Sequence, residues 1–180
     1  MTVTVLPLPT NGPLFEGAIA VYGDAFALPP YSDPDRGADV CERIRNDHSR
    51  RPGFRALVAV LDDGEIAGMT YGYQGIRGQW WHDTVVREIP RAASKEWLTD
   101  SYELVEVAVA PDHQGEGIGS SLIRELLTPR KEQTCVLSTR ADSRAHKLYS
   151  RLGFQVITIM AFAPGGSPFY VMGRHLPYDG

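Results

Sequence analysis

The residues Gln114-Gly115-Glu116-Gly117-Ile118-Gly119 place three glycines between a run of β-formers, Leu104 to Val109, and a segment in which Ile118, Leu122, Ile123, Leu126 and Leu127 recur at helical spacing. A strand-to-helix turn of this kind suits an anion. The first amides of a helix lack partners within it and sit at the positive end of its dipole, and residues without Cβ let a phosphate come close. Spacing narrows the kind of phosphate. A P-loop puts Lys and Ser/Thr directly after its last glycine, whereas Gly119 is followed by Ser120, Ser121 and Leu122. The dinucleotide fingerprint needs glycines first, third and sixth, and Ser120 stands at the sixth place here. What remains is Gln-x-x-Gly-x-Gly, read as Gln114, Gly117 and Gly119, behind a strand ending in Val109-Ala110-Pro111.

The elements that must hold this loop read as an alternating α/β chain. Val3 to Leu6 predicts a first strand and Leu14 to Phe26 a helix. After the break at Leu28-Pro29-Pro30-Tyr31-Ser32-Asp33-Pro34, Asp35 to Ser49 predicts a second, mostly polar helix. Arg55 to Leu61 and Glu65 to Tyr73 flank Asp62-Asp63-Gly64, a hairpin signal. Residues 74–101 carry Trp80, Trp81, His82 and Trp97 among charged positions with no sustained period, and predict an insertion with short helices. Beyond it the spacing predicts strand 102–110, helix 117–127, strand 134–139, helix 142–151 and strands near 154–161 and 168–174. Such alternation implies one mixed α/β sheet. No repeat or shift of composition marks a second domain.

A net charge of −4 over 180 residues argues against a broad electrostatic footprint on nucleic acid or an anionic membrane. The stretch Met1-Thr2-Val3-Thr4-Val5-Leu6-Pro7 has no positive n-region or long apolar run, so no secretory signal is expected, and no segment approaches a membrane span. Cys41 and Cys135 are too few for a disulfide framework or a zinc cage, and read as reduced thiols of a cytoplasmic protein. The histidines never fall at i, i+4 spacing with a second histidine or a cysteine, so no metal is expected.

The loop and its preceding strand resemble the acetyl-coenzyme A loop of the GNAT superfamily of N-acetyltransferases. A second stretch, Asp142-Ser143-Arg144-Ala145-His146-Lys147-Leu148-Tyr149-Ser150-Arg151-Leu152-Gly153-Phe154, is similar to that family's Asn-x-x-Ala-x-x-Leu-Tyr followed by x-x-x-Gly-Phe, with Asp142 where asparagine is usual. These residues also make local sense, Asp142 as a helix N-cap and Gly153 as a left-handed stop. The resemblance implies a GNAT-type mixed, mostly antiparallel sheet flanked by helices on both faces, in the order β-α-α-β-β-β-α-β-α-β-β. It implies a single acetyltransferase domain over 1–180, with 74–101 an insertion shaping the acceptor side. It also implies acetyl-coenzyme A as cofactor, held by Gln114, Gly115, Glu116, Gly117, Ile118, Gly119 and Ser120, by Asp142 and Ala145, and by the backbone of Val107, Ala108 and Val109. In the family that strand end is splayed from its neighbour, pairs with the pantetheine amides and polarises the thioester carbonyl. Glu116 is electrostatically unhelpful beside a diphosphate unless it points to water.

Acyl transfer to an amine needs a base and an acid. A lysine-like amine, with pKa about 10.4, is about one part in a few thousand neutral at pH 7, equivalent to roughly 4.6 kcal/mol of lost nucleophile. Strand alternation sends Glu103 with Val105, Val107 and Val109 to one face and Glu106 with Leu104 and Ala108 to the other. By resemblance Glu103 matches the catalytic glutamate of histone-acetylating members and Glu106 that of bacterial members. Both also fit solvated strand charges or partners for arginines. Tyr149 corresponds to the tyrosine that, in the family, protonates the departing thiolate, and it fits a core or rim aromatic equally. Trp80, Trp81 and Trp97, with Tyr31 in the loop between the first two helices, are candidates for the acceptor wall, since aromatic faces attract ammonium groups. Tryptophans so placed also anchor insertions to a core.

Neither cysteine lies in either motif and no Gly-x-Ser-x-Gly elbow is present, so no covalent nucleophile is expected. The expected activity is transfer of acetyl from acetyl-coenzyme A to a primary amine of a small molecule or peptide, by direct attack in a ternary complex. The alternative is a non-catalytic acetyl-coenzyme A sensor or interaction module. Phe169-Tyr170-Val171-Met172 in the last strand fits the intersubunit contact of a homodimer as well as a core.

Overall fold

The computed structural model describes residues 2–179. Along the chain run β1 (Val3–Pro7), α1 (Pro13–Ala27), α2 (Arg36–Asn46), β2 (Arg55–Leu61), β3 (Ile66–Gly75), α3 (Trp80–Glu88), α4 (Arg91–Leu98), β4 (Ser101–Val109), α5 (Ile118–Leu127), β5 (Thr134–Arg140), α6 (Ala145–Arg151), β6 (Gln155–Met160) and β7 (Phe169–His175). Short 3-10 turns occupy His48–Arg50 and Pro111–His113. The strands form a mostly antiparallel sheet, ordered β1-β2-β3-β4-β5-β7-β6 and flanked by helices. Helices α3 and α4 are the short helices expected within 74–101. The described residues fall into two compact units. One runs to Tyr73 and resumes over Val105–Leu126, and the other comprises Gln74–Leu104 and the chain from Leu127.

In the first unit the β2–β3 hairpin closes where the sequence signals it. Gly64 takes the left-handed backbone at φ +88, and its N–H donates to the Leu61 carbonyl at 2.9 Å. Helices α1 and α2 bury Phe15, Ala18, Tyr22, Val40 and Ile44 with Val58, Met69 and Tyr71 of the hairpin. Helix α2 is shorter than expected, because the Asp47 N–H closes it on the Arg43 carbonyl and the chain tightens into the 3-10 turn. In α5, Ile118, Leu122, Ile123 and Leu126 are each 2% exposed or less, the stripe of an amphipathic helix.

Gly68 of β3 makes a close approach there: a Cβ at that position would stand 2.7 Å from the Ala108 carbonyl oxygen of β4 and 3.1 Å from Leu122. The backbone oxygen cannot turn away as a side chain can. Gly68→Ala is therefore expected to cost about 1–3 kcal/mol, read as a fall in Tm of roughly 5 °C.

In the second unit, β4 pairs in parallel with β5 through Ser101↔Thr134, Tyr102↔Cys135 and Glu103↔Val136, and β7 lies between β5 and β6. Val171 and Met172 of β7 are buried at 0% and 1% exposure and belong to the core, while Phe169 and Tyr170 of the same segment are half-buried. Trp97 packs with Val85, Leu98, Val136 and Val171. Gly173 of β7 leaves room for its ring, since a Cβ there would stand 2.5 Å from the indole. Helix α6 ends as a Schellman motif: Phe154 N–H reaches the Tyr149 carbonyl at 3.0 Å and Gly153 N–H the Ser150 carbonyl at 3.1 Å, with Gly153 at φ +85.

Candidate functional site

The glycine loop belongs to the first unit. It is entered from β4, where the Ala110 N–H donates to the Ala67 carbonyl at 2.8 Å, and the Gln114 side-chain amide donates to the Val109 carbonyl at 3.2 Å. Gly115 and Gly117 adopt φ +85 and +86, and a Cβ on either would meet nothing within 4 Å. Their glycine requirement is therefore backbone conformation plus open space, not close packing. The first helical bond of α5 runs from Ser121 N–H to the Gly117 carbonyl at 3.0 Å. The amides of Ile118, Gly119 and Ser120 precede it and have no acceptor within the helix. Open space beside the opening amides of a helix is the arrangement an anion such as a diphosphate requires.

Glu106 stands four residues ahead of Ala110 on β4 and is 7% exposed, as Glu103 is at 5%, so neither is a solvated strand charge. Glu106 fits the arginine-partner reading. Its Oε1 lies 3.7 Å from Arg36 Nη2 and 3.6 Å from Arg43 Nη2. The Tyr22 phenol donates to the same carboxylate and accepts from Arg36 Nε at 2.9 Å. Burial pushes the Glu106 carboxyl above the usual carboxylate range, while Arg36, Arg43 and Tyr22 pull it back. Burial also pushes the Tyr22 phenol up, with the Glu106 charge adding to it. Burial and then Arg51 and Arg43 bring His48 down to about 4, so its imidazole, 2.9 Å from the Tyr71 hydroxyl, is neutral at pH 7.

Tyr31 joins this cluster. Its ring meets Phe26 edge-on at 4.6 Å, and the Arg36 guanidinium lies 4.2 Å from the Phe26 centroid and 5.2 Å from that of Tyr31. The unit thus brings together Tyr31, Arg36, Tyr22, Arg43 and Glu106. Of these the sequence reading singled out only Tyr31 and Glu106. A signal for the arginines was present, since Arg36, Val40 and Arg43 share one side of α2 with buried Ile44. Two cations beside a buried stripe read as partners for a buried acid.

The second unit holds the other candidates. Tyr149, 7% exposed, lies on α6 with its ring edge-on to Phe154 at 5.9 Å. Asp142 does not cap this helix, which begins three residues later than expected. Arg140 engages its carboxylate at 2.7 and 3.0 Å and lowers its pKa, while the Ser143 hydroxyl accepts the Ala145 N–H at 3.2 Å. A neighbouring guanidinium outcompetes the weaker pull of helix amides for that acid. Glu103 faces the ladder with β5, and burial pushes the thiol of adjacent Cys135 up, with Glu103 adding to the effect, so this cysteine is no nucleophile.

The three tryptophans take three different roles. Trp97 is core, Trp81 is half-buried with its indole N–H donating to Ser138 Oγ at 2.9 Å, and Trp80 is 64% exposed beside Phe162 at 5.7 Å. Among the described residues no cluster of His, Cys, Asp and Glu could hold a metal, and no helix is long and apolar enough to cross a membrane.

The family model described as an acetyltransferase (GNAT) domain matches residues 52–156. The chain is 34% identical over 191 residues to the GCN5-like protein acetyltransferase Rv2170 of Mycobacterium tuberculosis, covering 89% of this chain and 90% of that protein. It is 36% identical over 76 residues to the N-alpha-acetyltransferase RimI of the same organism, covering 41% of this chain and 48% of that relative. In three dimensions it is similar to the crystal structure of histone acetyltransferase HPA2 and related acetyltransferase from Corynebacterium glutamicum, with a TM-score of 0.70 at 22% identity over 100% of each chain.

Proposed function

We propose that this chain, which belongs to the GNAT acetyltransferase family, moves the acetyl group of acetyl-coenzyme A to a primary amine of a protein or peptide, by direct attack in a ternary complex. The observation that carries the reading is the loop, where two left-handed glycines leave open space before the opening amides of α5, which have no acceptor within the helix. Ile118, Gly119 and Ser120 are assigned to the diphosphate through their N–H groups, and Gln114, Gly115 and Gly117 to the shape of the entrance. The backbone of Val107, Ala108 and Val109 is assigned to the pantetheine arm and to one donor for the acyl oxygen, which is typically worth about 3 kcal/mol in acyl transfer. Ala145 and Asp142 are assigned to the same arm, Asp142 through its backbone, because Arg140 holds its carboxylate. The cofactor supplies an acyl thioester when bound. The acceptor class follows the relative named as a protein acetyltransferase, which covers most of this chain.

Within this reading Glu106 takes the proton of the acceptor amine. Tyr22 orients it, and Arg36 and Arg43 favour its ionised form against the burial that raises its pKa. Glu103 is the second candidate base, placed behind Glu106 because it lies in the β4–β5 ladder beside a buried thiol. Tyr149 holds the proton for the departing sulfur. The test is a screen of peptides with free N-termini, lysine peptides and small amines against acetyl-coenzyme A, reading free thiol, with mass spectrometry of the protein after cofactor alone. Turnover on at least one amine without an acetylated protein is expected. An acetylated protein overturns direct attack, and tight cofactor binding without turnover on any amine leaves the interaction module instead.

Trp80, Trp81 and Tyr31 are the proposed acceptor-side aromatics, and their different burial separates their expected effects. Trp80→Ala should raise the acceptor KM severalfold with Tm almost unmoved, since an exposed ring contributes to stability within about 0.5 kcal/mol. Trp81→Ala should lower Tm, because its indole is hydrogen-bonded to Ser138 and packed on the Val85–Trp97 cluster. A thermal scan beside acceptor kinetics checks both.

A further inference from the structure

The diphosphate loop contains an acid, and that acid is engaged. His113, at the end of the 3-10 turn that leads into the loop, has Nδ1 3.1 Å from Glu116 Oε2 and Nε2 3.3 Å from Glu65 Oε1. Its side chain is 12% exposed, against 49% for Glu116 and 54% for Glu65. Glu65 precedes β3 in the β2–β3 hairpin, where Asp63 accepts its amide at 3.0 Å. The imidazole therefore spans from the loop to the hairpin, and the charged groups facing it are Glu116 from the one and Glu65 from the other. A neutral imidazole carries a single N–H and can donate to one of them, whereas an imidazolium donates to both.

We propose that His113 is a positioning residue of the cofactor loop: it clasps Glu116 and Glu65 together, draws the Glu116 charge away from the bound diphosphate and ties the loop to the hairpin. This rests on the reading that the loop binds coenzyme A. An anion left loose in that loop repels the ligand, while one held by an imidazolium presents a neutral pair. The geometry also sets a direction with pH. Glu116 and then Glu65 raise the pKa of His113 above its ordinary value, so the doubly donating form extends upward from acid pH. As pH rises through that raised value one carboxylate loses its donor, and affinity for coenzyme A falls.

Calorimetry with coenzyme A at low salt, at several pH values between about 6 and 9, tests the clasp on three proteins: unsubstituted, H113A and H113A/E116Q. Ionisation of the ligand acts on all three alike. H113A is expected to bind about fivefold more weakly on the acid side and to lose the pH dependence that separates it from the unsubstituted protein. H113A/E116Q is expected to recover the affinity, because the unmasked charge is gone. A merely structural histidine would not be rescued in this way. Equal binding by H113A and the unsubstituted protein, or a weakness that E116Q does not relieve, overturns the clasp. Absence of binding by the unsubstituted protein overturns instead the reading of the loop on which it rests.

Discussion

Glu106→Gln is expected to lower kcat by about 10²- to 10³-fold while leaving affinity for coenzyme A unchanged, because a positioned base typically contributes 10²–10⁴ and the amide cannot accept the amine's proton. The sign of the pH dependence follows from the shift. A general base works ionised, and burial raises the Glu106 pKa above the ordinary carboxylate range. The rate of the unsubstituted protein should therefore fall as pH drops through that raised value, and this limb should vanish in the variant. Stability changes as well. Arg36 and Arg43 lose their counter-ion, but their side chains are 29% and 45% exposed and can turn to water, so the cost is about 1–2 kcal/mol and not the larger penalty of a sealed pair. Unchanged kcat with a lowered Tm would make Glu106 an anchor for α2 and move the base to Glu103.

Tyr149→Phe is expected to cost a similar factor in kcat by a different route. A thiol has a pKa of about 8.5 and a phenol about 10, so the phenol stays protonated at neutral pH and its proton can be given up to a departing thiolate at roughly 2 kcal/mol before the site adjusts either value. Phenylalanine keeps the ring packed on Phe154, and the carbonyl of residue 149 still accepts the Phe154 N–H that ends α6. The KM for acetyl-coenzyme A should hold. Stopped-flow detection of free thiol, with kcat and KM separated, reads this directly. Full activity in the variant would return Tyr149 to the role of a buried aromatic.

What could be read from the sequence is what local chemistry decides. The hairpin at Asp62-Asp63-Gly64, the left-handed stop at Gly153 and the stripe of α5 each depend on residues within one turn of each other, and each stands where spacing placed it. The 74–101 stretch yielded its helices but not its division of labour. Only the folded chain shows that Trp97 fills the space over Gly173 while Trp80 faces solvent.

Asp142 illustrates the opposite failure. Its type favours an N-cap, but Arg140 two residues earlier holds the carboxylate, so a local competitor overrode a local propensity. Glu106 was ambiguous for a different reason. Alternation gave its face but not what covers that face, and Arg36, Arg43 and Tyr22 come from helices far away in the chain. The clasp of His113 on Glu65 is likewise a contact between a loop and a hairpin that no spacing rule connects.

The claim beneath all of this is that the amides opening α5 hold the diphosphate of coenzyme A. Calorimetry with three ligands, coenzyme A, its 3′-dephospho form and pantetheine, tests it most directly, since only pantetheine lacks the diphosphate. Coenzyme A and the dephospho form are expected to bind comparably and pantetheine at least about 100-fold more weakly, the difference that two or three charge-assisted hydrogen bonds provide. Pantetheine binding as tightly as coenzyme A, or no binding by any of the three at millimolar concentration, contradicts the account.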